Sequence, residues 1–316
     1  MPLFGRQTSA QPPTPEELRA AQVDLERISQ GGIPLGAEQR LKRVAAASKP
    51  FFTSDLTAKE YALADASGLQ PIAQVMGSAV VQKGFMGNQG MYINTGELRA
   101  LAQPWNMARD LAFDRLRQEA THAGADAVIG IELAAGSLGE PGNIELVVFG
   151  TAVRDTVKPA GAKHGPAMCT LSGQDVDKLR RIGAEIRGVV GYTAVISVAL
   201  GRNSAWAMNS GGMLGGASGG ARMNVEITEI AQGVYDARNR AMLAVRRQAN
   251  EVEANNIVVS TLRHTIEHFE YEQPGGFRAH YFHVTMNILG TAIRLGARDP
   301  HPAPLASPVL SVNLGA

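Results

Sequence analysis

Residues 124–131 read Gly-Ala-Asp-Ala-Val-Ile-Gly-Ile and connect a helical pattern to a strand pattern. Before this stretch, residues 108–123 repeat apolar side chains three and four positions apart, which predicts an amphipathic helix. After it, residues 127–133 are mostly apolar, and a loop with Gly and Pro leads to a second strand that ends in Gly-Thr-Ala-Val-Arg at 150–154. The stretch therefore predicts a helix followed by two strands.

The same order of patterns returns downstream. A helical pattern at 237–254 precedes a strand pattern at 257–268, and a further strand ends in Gly-Thr-Ala-Ile-Arg at 290–294. Ala108 and Ala112 correspond to Ala237 and Ala241 at a constant separation of 129 residues, and the strand pattern that begins at Gly77 matches approximately the one that begins at Gly191. Similarity that preserves spacing over about 100 residues indicates an internal duplication.

Helix-starting signals precede each copy and the N-terminal region. A hydroxyl residue lies three positions before an acidic one at Thr14/Glu17, at Thr57/Glu60 and at Ser172/Asp175, which predicts N-capped helices. The first of these helices and a second at 37–47 form a helical extension. Its apolar stripe is expected to pack on the next domain or on a neighbouring chain. Within the long helix, Pro104 predicts a kink or a restart, and Arg109 is expected on or near the solvent-exposed face.

We predict an α+β chain with the following divisions: a tail and helical extension at 1–50, a first domain at 51–155, a linker at 156–165, a second domain at 166–296 and a Pro-rich tail at 297–316. Each domain is expected to hold a three-stranded, mostly antiparallel sheet covered by one long helix and a short helix. So small a sheet leaves its edges open, and association with another unit is the natural way to cover them.

Composition excludes several function classes. The chain has 30 basic and 29 acidic residues, which gives no field to attract nucleic acid or an anionic membrane, and neither is expected as a partner. A single cysteine excludes a disulfide framework and a multi-cysteine metal site. No apolar run of about 18 residues is present, and the N-terminus has no signal-peptide pattern. We expect a cytoplasmic protein.

The stretch at 124–131, with Ala108, Arg109 and Ala112 before it and Gly-Thr-Ala-Val at 150–153 after it, resembles the YbjQ family, also described as a heavy-metal-binding domain. The resemblance is specific in the first copy and diffuse in the second. It implies dodecin-like α+β units that assemble into rings, usually of five subunits. The family has no established catalytic residues, so the resemblance implies none here.

Four histidines near the end of the second copy are the candidate metal ligands. His264 and His268 lie on one predicted strand, and His280 and His283 lie on the next. His264 to His268 matches the His-x-x-Glu-His pattern of inverted zinc proteases, but on a strand the two side chains are about 13 Å apart, too far to share one ion. A hairpin would instead place His268 diagonally near His283, forming a site for zinc or copper. The alternative is that all four are ordinary surface or interface residues.

Three further features have structural rather than catalytic interpretations. Cys169 has no neighbouring base, so we expect a buried thiol. Asp126 and Asn255 occupy matching helix-to-strand turns, where a polar side chain bonds backbone groups. The Gly-rich stretch 210–220 lacks the Lys-Ser/Thr ending of a phosphate loop, and we interpret it as an insertion.

The predicted function is therefore non-enzymatic. We expect a homo-oligomer, with a ring or a larger closed assembly and a scaffold or compartment-like role. The alternative is a metal- or small-ligand-binding module with its site at the oligomer interface; no other cofactor is expected. The apolar peptide 309–314 is either a disordered end or a docking segment that adds to a sheet edge of this chain or of a partner protein.

Overall fold

The computed structural model describes residues 14–46, 56–82, 95–136, 143–157, 165–201, 226–272 and 278–296. The Gly-rich stretch 210–220, the peptide 309–314 and residues 158–164 of the predicted linker lie outside these ranges. The helices are α1 (Pro15–Ser29), α2 (Leu35–Ala46), α3 (Ala58–Ala66), α4 (Arg99–His122), α5 (Gly173–Arg181) and α6 (Thr228–Glu251). The strands are β1 (Leu69–Gln82), β2 (Gly96–Glu97), β3 (Ala127–Gly136), β4 (Asn143–Asp155), β5 (Ala167–Met168), β6 (Glu185–Ala199), β7 (Asn256–Glu272) and β8 (Arg278–Arg294).

The predicted helix starts are confirmed by their capping contacts. Thr14 caps α1 and Thr57 caps α3, and in both cases the side chain of the Glu three residues on accepts a bond from the cap backbone. Ser172 caps α5 through the backbone N–H of Asp175. These contacts satisfy backbone groups that the first helical turn leaves unpaired.

Two layers, a sheet and a long helix, form each half of the chain. Helix α4 packs on β1 and β4, and α6 packs on β6 and β8. Pro104 lies inside α4 without ending it, so the helix does not restart there. Close to Pro104, the Asn106 side chain bonds the backbone of Thr193 in the second sheet. The helix approaches β1 so closely that a Cβ at Gly77 would lie 1.9 Å from the carbonyl oxygen of Ala112.

Each sheet has four strands rather than the expected three, because each receives a two-residue strand from the other half. The first sheet has the order β1-β4-β3-β5, and the second has the order β2-β6-β8-β7. Strand β5 runs parallel to β3, and β2 runs antiparallel to β6; all other pairs are antiparallel. The exchange of β2 and β5 ties the halves together.

The two halves correspond in hydrogen bonding as well as in element order. The carboxylate of Glu119 accepts a bond from the Met76 N–H at 2.9 Å, and the amide oxygen of Gln248 accepts one from the Gly191 N–H at 2.9 Å. Met76 lies opposite Phe149 and Gly191 lies opposite Leu289, so Met76 matches Gly191. The approximate sequence alignment of Gly77 with Gly191 is therefore displaced by one residue.

The polar turn residues behave as predicted. Asp126 accepts a bond from the Asp155 N–H at 2.9 Å, and Asn255 accepts one from the Leu295 N–H at 2.9 Å. In each half the side chain at the end of the long helix thereby fixes the end of the last strand.

The N-terminal extension packs on the first half through α2. Leu41 is fully buried in the core shared with α4, whereas α1 buries none of its residues. Arg115 donates to the backbone carbonyls of Ile28 and Ser78, and thus links the extension to β1. No helix in the described ranges is long and apolar enough to cross a membrane.

Candidate functional site

The β7–β8 hairpin carries the predicted metal ligands, and in the described ranges β7 is the outer strand of its sheet. Both strands have 17 residues, against 10 and 13 in the matching strands β3 and β4. Residues 262–270 are all exposed, and they include the apolar side chains of Leu262, Ile266 and Phe269. Strand β7 therefore presents apolar and ligating groups to solvent, whereas β8 lies between β6 and β7 and is largely buried.

The strand register divides the four histidines between the two faces. His264 lies opposite Met286, His268 opposite Phe282, and His283 opposite Glu267. Because successive side chains alternate between faces, His264, His268 and His280 share one face and His283 lies on the other. The predicted pairing of His268 with His283 is wrong for this reason.

His268 pairs with His280 instead. The Nε2 of His268 and the Nδ1 of His280 are 3.0 Å apart and share one hydrogen bond, with the rings stacked at 5.2 Å between centroids. Glu270 lies directly across from His280, with its Oε1 atom 3.8 Å from the same Nδ1. One ligand atom from each of His268, Glu270 and His280 lies within 4.8 Å of the others.

This geometry suits a small divalent cation. Ligand atoms around a tetrahedral zinc ion are about 3.3 Å apart, so a modest side-chain adjustment would bring the three atoms to that spacing. A bound cation would replace the proton that His268 and His280 share. Because His268 and Glu270 are exposed and His280 is buried, the fourth position would face solvent.

His283 belongs to a different environment on the opposite face. Its ring lies 4.4 Å from that of Phe269, and it borders a small cavity with Leu101 and Trp105 of α4. Burial lowers the pKa of His283, and the neighbouring Glu267 carboxylate partly opposes that effect. This histidine therefore tends to remain neutral, at the place where the first half meets the hairpin.

The junction of the two halves is the second candidate site, and α4 forms much of it. The Asn106 side chain accepts from the Thr193 N–H at 2.9 Å and donates to the Thr193 carbonyl at 3.0 Å, as a neighbouring strand would. Leu98 donates to the carbonyl of Val195 at 2.8 Å. Helix α4 and β2 thus cover the edge of β6.

On the other side of the junction, residues before α5 cover the edge of β3. Cys169 donates to the carbonyl of Val128 at 2.9 Å, and Gly130 donates to that of Leu171 at 2.8 Å. The Thr170 N–H donates to the Thr291 hydroxyl at 2.9 Å, and the two hydroxyls are 2.8 Å apart. All of these groups lie in or beside a buried apolar cluster built from both halves.

Cys169 is buried in that cluster, as predicted. Burial raises the pKa of its thiol to about 11, although bonds from the Leu171 backbone and the Thr291 hydroxyl act in the opposite direction. A thiol with so high a pKa forms little thiolate near neutral pH, which argues against a nucleophilic role.

Sequence periodicity misplaced Arg109. The helical pattern puts it near the solvent-exposed face, yet it is only 6% exposed. The reason is that α4 is covered on two sides, by its own sheet and by β6, where Arg109 lies against Gly191. An apolar stripe on one helix face shows that the helix packs on one sheet, but it does not show a second packing surface. The only feature of the described sequence just before α4 that connects it to the second sheet is the two-residue strand β2.

Comparison with known proteins places this chain among relatives of two kinds. The sequence pattern of the YbjQ family, described as "Putative heavy-metal-binding", matches residues 60–156. The chain is 34% identical to the encapsulin nanocompartment protein Rv1762c of Mycobacterium tuberculosis over 222 residues, which are 69% of this chain and 79% of that protein.

Shorter relatives match one part of the chain. A UPF0145 protein of Clostridium novyi is 37% identical over 90 residues, 27% of this chain and 85% of its own length. Another from Vibrio parahaemolyticus is 35% identical over 101 residues, 30% of this chain and 95% of its own. The family pattern and these relatives together show that the chain belongs to the YbjQ family.

Proposed function

We propose that this protein is a non-enzymatic, self-assembling chain with a compartment-like or scaffold role. The observation that carries the proposal is the likeness to an encapsulin nanocompartment protein, which extends over 79% of that relative's length. The likeness covers more than twice the length matched by the family pattern at 60–156, so it includes much more than one YbjQ unit.

We infer further that the second half is a second YbjQ-like unit with a dodecin-like arrangement. Support comes from the matching roles of Glu119 and Gln248, and from those of Asp126 and Asn255. Both halves also begin with a capped short helix, and these helices pack together: a Cβ at Gly173 of α5 would lie 3.0 Å from the Cβ of Ala64 in α3.

Exposed apolar side chains outside the cores also favour association. Leu18 and Leu25 of α1 are exposed, seven residues apart on one helix face, and none of the residues of α1 is fully buried. Leu262 and Ile266 are exposed on the hairpin. Apolar groups clustered in this way are typical of protein–protein contact surfaces.

Electron microscopy of the purified full-length chain tests this proposal. We expect closed particles of uniform size, and we expect a substitution that charges the α1 face, Leu18→Glu with Leu25→Glu, to reduce their number or change their size. Lys59→Glu, at an exposed helix position away from that face, is the control. A field of single chains for the unmodified protein would contradict the proposal.

A metal-binding role is the second candidate, because His268, Glu270 and His280 converge. Calorimetric titration with zinc chloride should show one equivalent bound by the unmodified chain and none by the His268→Ala/Glu270→Gln variant. His264→Ala is the matched control, since His264 lies on the same strand face about 13 Å from His268. Equal zinc uptake by the two variants would exclude this site.

A further inference from the structure

The junction between the two halves joins two different surfaces. The first half contributes α4 and the edge of β3, and the second half contributes β6 and the β5 segment. A contact of this kind uses one surface of each half and leaves the other surface free, so it can be repeated from chain to chain. The free surfaces can be located from the correspondence between the halves.

On the first half the free surface is the outer face of β1. From the match of Met76 with Gly191, Ser78 corresponds to Thr193 and Val80 to Val195. Thr193 and Val195 are 2% and 3% exposed because α4 covers them, whereas Met76 and Val80 are 49% and 54% exposed. The N-terminal extension contacts the first half on the helix side of β1, where Arg40 forms an ion pair with Glu119. It does not cover Met76 or Val80 on the outer face.

On the second half the free surface is the outer face of α6. At the constant separation of 129 residues, Tyr235 corresponds to Asn106 and Arg238 to Arg109. Asn106 bonds the edge of β6 and Arg109 is buried, but Tyr235 is 62% exposed and Arg238 is exposed as well. An exposed tyrosine thus stands where the first helix makes its contact with the next sheet.

Beside this helix lies an open groove of about 460 Å³, lined by Met242, Arg246 and residues 254–257 among others. Asn256 and Ile257 of this groove correspond to Ala127 and Val128, the two residues that pair with β5 in the first sheet. In the described part of the chain, β7 is the last strand of its sheet. In the described ranges, the edge of β7 beside this groove therefore lacks the β5-like partner that the matching edge of β3 has.

The short helices give a third matching pair. Val176 of α5 is buried in the cluster shared with α3. Counting from the caps Thr57 and Ser172, Tyr61 of α3 is the matching position, and it is 41% exposed. In all three elements, residues covered within the junction thus correspond to exposed residues on the free surfaces.

We propose that the free surfaces bind each other in a second copy of this chain, so that the outer face of β1 in one copy docks on α6 and the β7 groove of the next. This inference rests on the proposed self-assembly and identifies the surfaces that perform it. The contact repeats the junction within the chain, and successive copies add head to tail. Such a series closes into a ring if the rotation between copies closes, and otherwise forms a filament.

Two exposed substitutions test the proposal without touching a core. Val80→Lys places a charge opposite Glu145, a favourable cross-strand partner, and Tyr235→Lys places one on the outer face of α6. Each variant alone is expected to sediment as a single chain of 33.5 kDa in analytical ultracentrifugation, at concentrations where the unmodified protein assembles. Met107→Lys, at an apolar position that is 53% exposed and lies outside both surfaces and the α1 face, is the matched control and should leave this head-to-tail contact intact.

Mixing the two variants gives the most specific result. Each retains one intact surface of the opposite type, and the two altered surfaces both carry a lysine and repel. An equimolar mixture should therefore form a dimer of twice the chain mass and nothing larger. If both variants assemble like the unmodified protein, the head-to-tail contact is wrong while self-assembly stands; if the unmodified protein is itself a single chain, the proposed function fails.

Crosslinking provides a second measurement that does not depend on weakening the contact. Ser78→Cys in one chain and Tyr235→Cys in another should react with a short bismaleimide to give a covalent dimer. The native Cys169 is 1% exposed and does not compete. The control pairs Ser78→Cys with Arg247→Cys, an exposed position of α6 about 18 Å further along the helix than Tyr235. Equal yields from the two pairs would contradict the proposed registration.

Discussion

Glu119 and Gln248 each accept a backbone N–H bond from the neighbouring strand, one with a carboxylate and the other with an amide. Because only the carboxylate titrates, the free energy of unfolding should depend on pH through Glu119. Burial raises the pKa of Glu119, while the bond from the Met76 N–H and the charge of Arg40 act in the opposite direction. A raised pKa in the folded state means that the stabilising contribution is complete below the unfolded value of 4.5 and is lost as the pH rises through the folded value.

We therefore expect Glu119→Gln to raise the free energy of unfolding at pH 7 and to lose that advantage below about pH 4.5. The glutamine keeps the Met76 bond and has no charge to bury. Urea denaturation at pH 4 and pH 7 measures the difference. Gln248→Glu is the mirror variant and should be destabilised at pH 7 more than at pH 4; an unchanged stability of both variants at both pH values would refute this account.

Thr291 joins the halves through a buried hydroxyl. Thr291→Val keeps the shape of the side chain but leaves the Thr170 N–H and hydroxyl without this partner, so we expect a loss of about 1–3 kcal/mol in the free energy of unfolding. Thr291→Ser retains the hydroxyl and should retain most of the contact. Chemical denaturation of the two variants separates the hydrogen bond from the packing, and equal losses would argue for packing alone.

At the residue scale, the sequence predicted side chains whose partners are close along the chain. The caps at Thr14, Thr57 and Ser172 are of this kind, because each partner lies three residues away. It failed for Arg109, since the β6 surface that buries this residue is about 80 positions away along the chain. It also paired His268 with the wrong histidine, because the register of the hairpin sets the faces and is not visible in the spacing alone.

Among the secondary-structure elements, α4 and β1 pack so closely that their contact leaves no room for a side chain at Gly77. A Cβ at Gly77 would lie 1.9 Å from the Ala112 carbonyl and 2.6 Å from the Leu116 nitrogen, both backbone atoms that cannot turn aside. We expect Gly77→Ala to reduce the free energy of unfolding by about 3 kcal/mol, at the upper end of overpacking effects. Thermal denaturation measures it.

Gly36→Ala is the matched control for that substitution. A Cβ at Gly36 meets nothing within 4 Å, and the residue lies within α2, so alanine is expected to stabilise the chain by about 0.5–1 kcal/mol. Similar effects from both substitutions would mean that the helix does not approach β1 as closely as described.

The long elements were predictable because their periodicity extends over many residues, as in α4 and β4. The two-residue strands β2 and β5 were not, since each exists only because an edge of the other sheet is available. For the same reason the sheets were expected to have three strands. Local sequence likewise does not show the contacts that α4 makes with β6 close to Pro104.

The whole molecule consists of two similar halves, joined by a junction whose contact can recur between copies of the chain. One surface of that junction type remains open on each half, with Val80 on the first and Tyr235 on the second. Assembly, rather than chemistry at a pocket, is the function these features support. The histidine cluster on the hairpin, with His268 and His280, is a separate feature that assembly does not require.

Mass photometry of the unmodified full-length chain over a range of concentrations shows whether the chain self-assembles. We expect one dominant species at a whole-number multiple of 33.5 kDa, or a ladder of such multiples if the series stays open. A single population at the mass of one chain, unchanged up to micromolar concentration, would contradict this expectation.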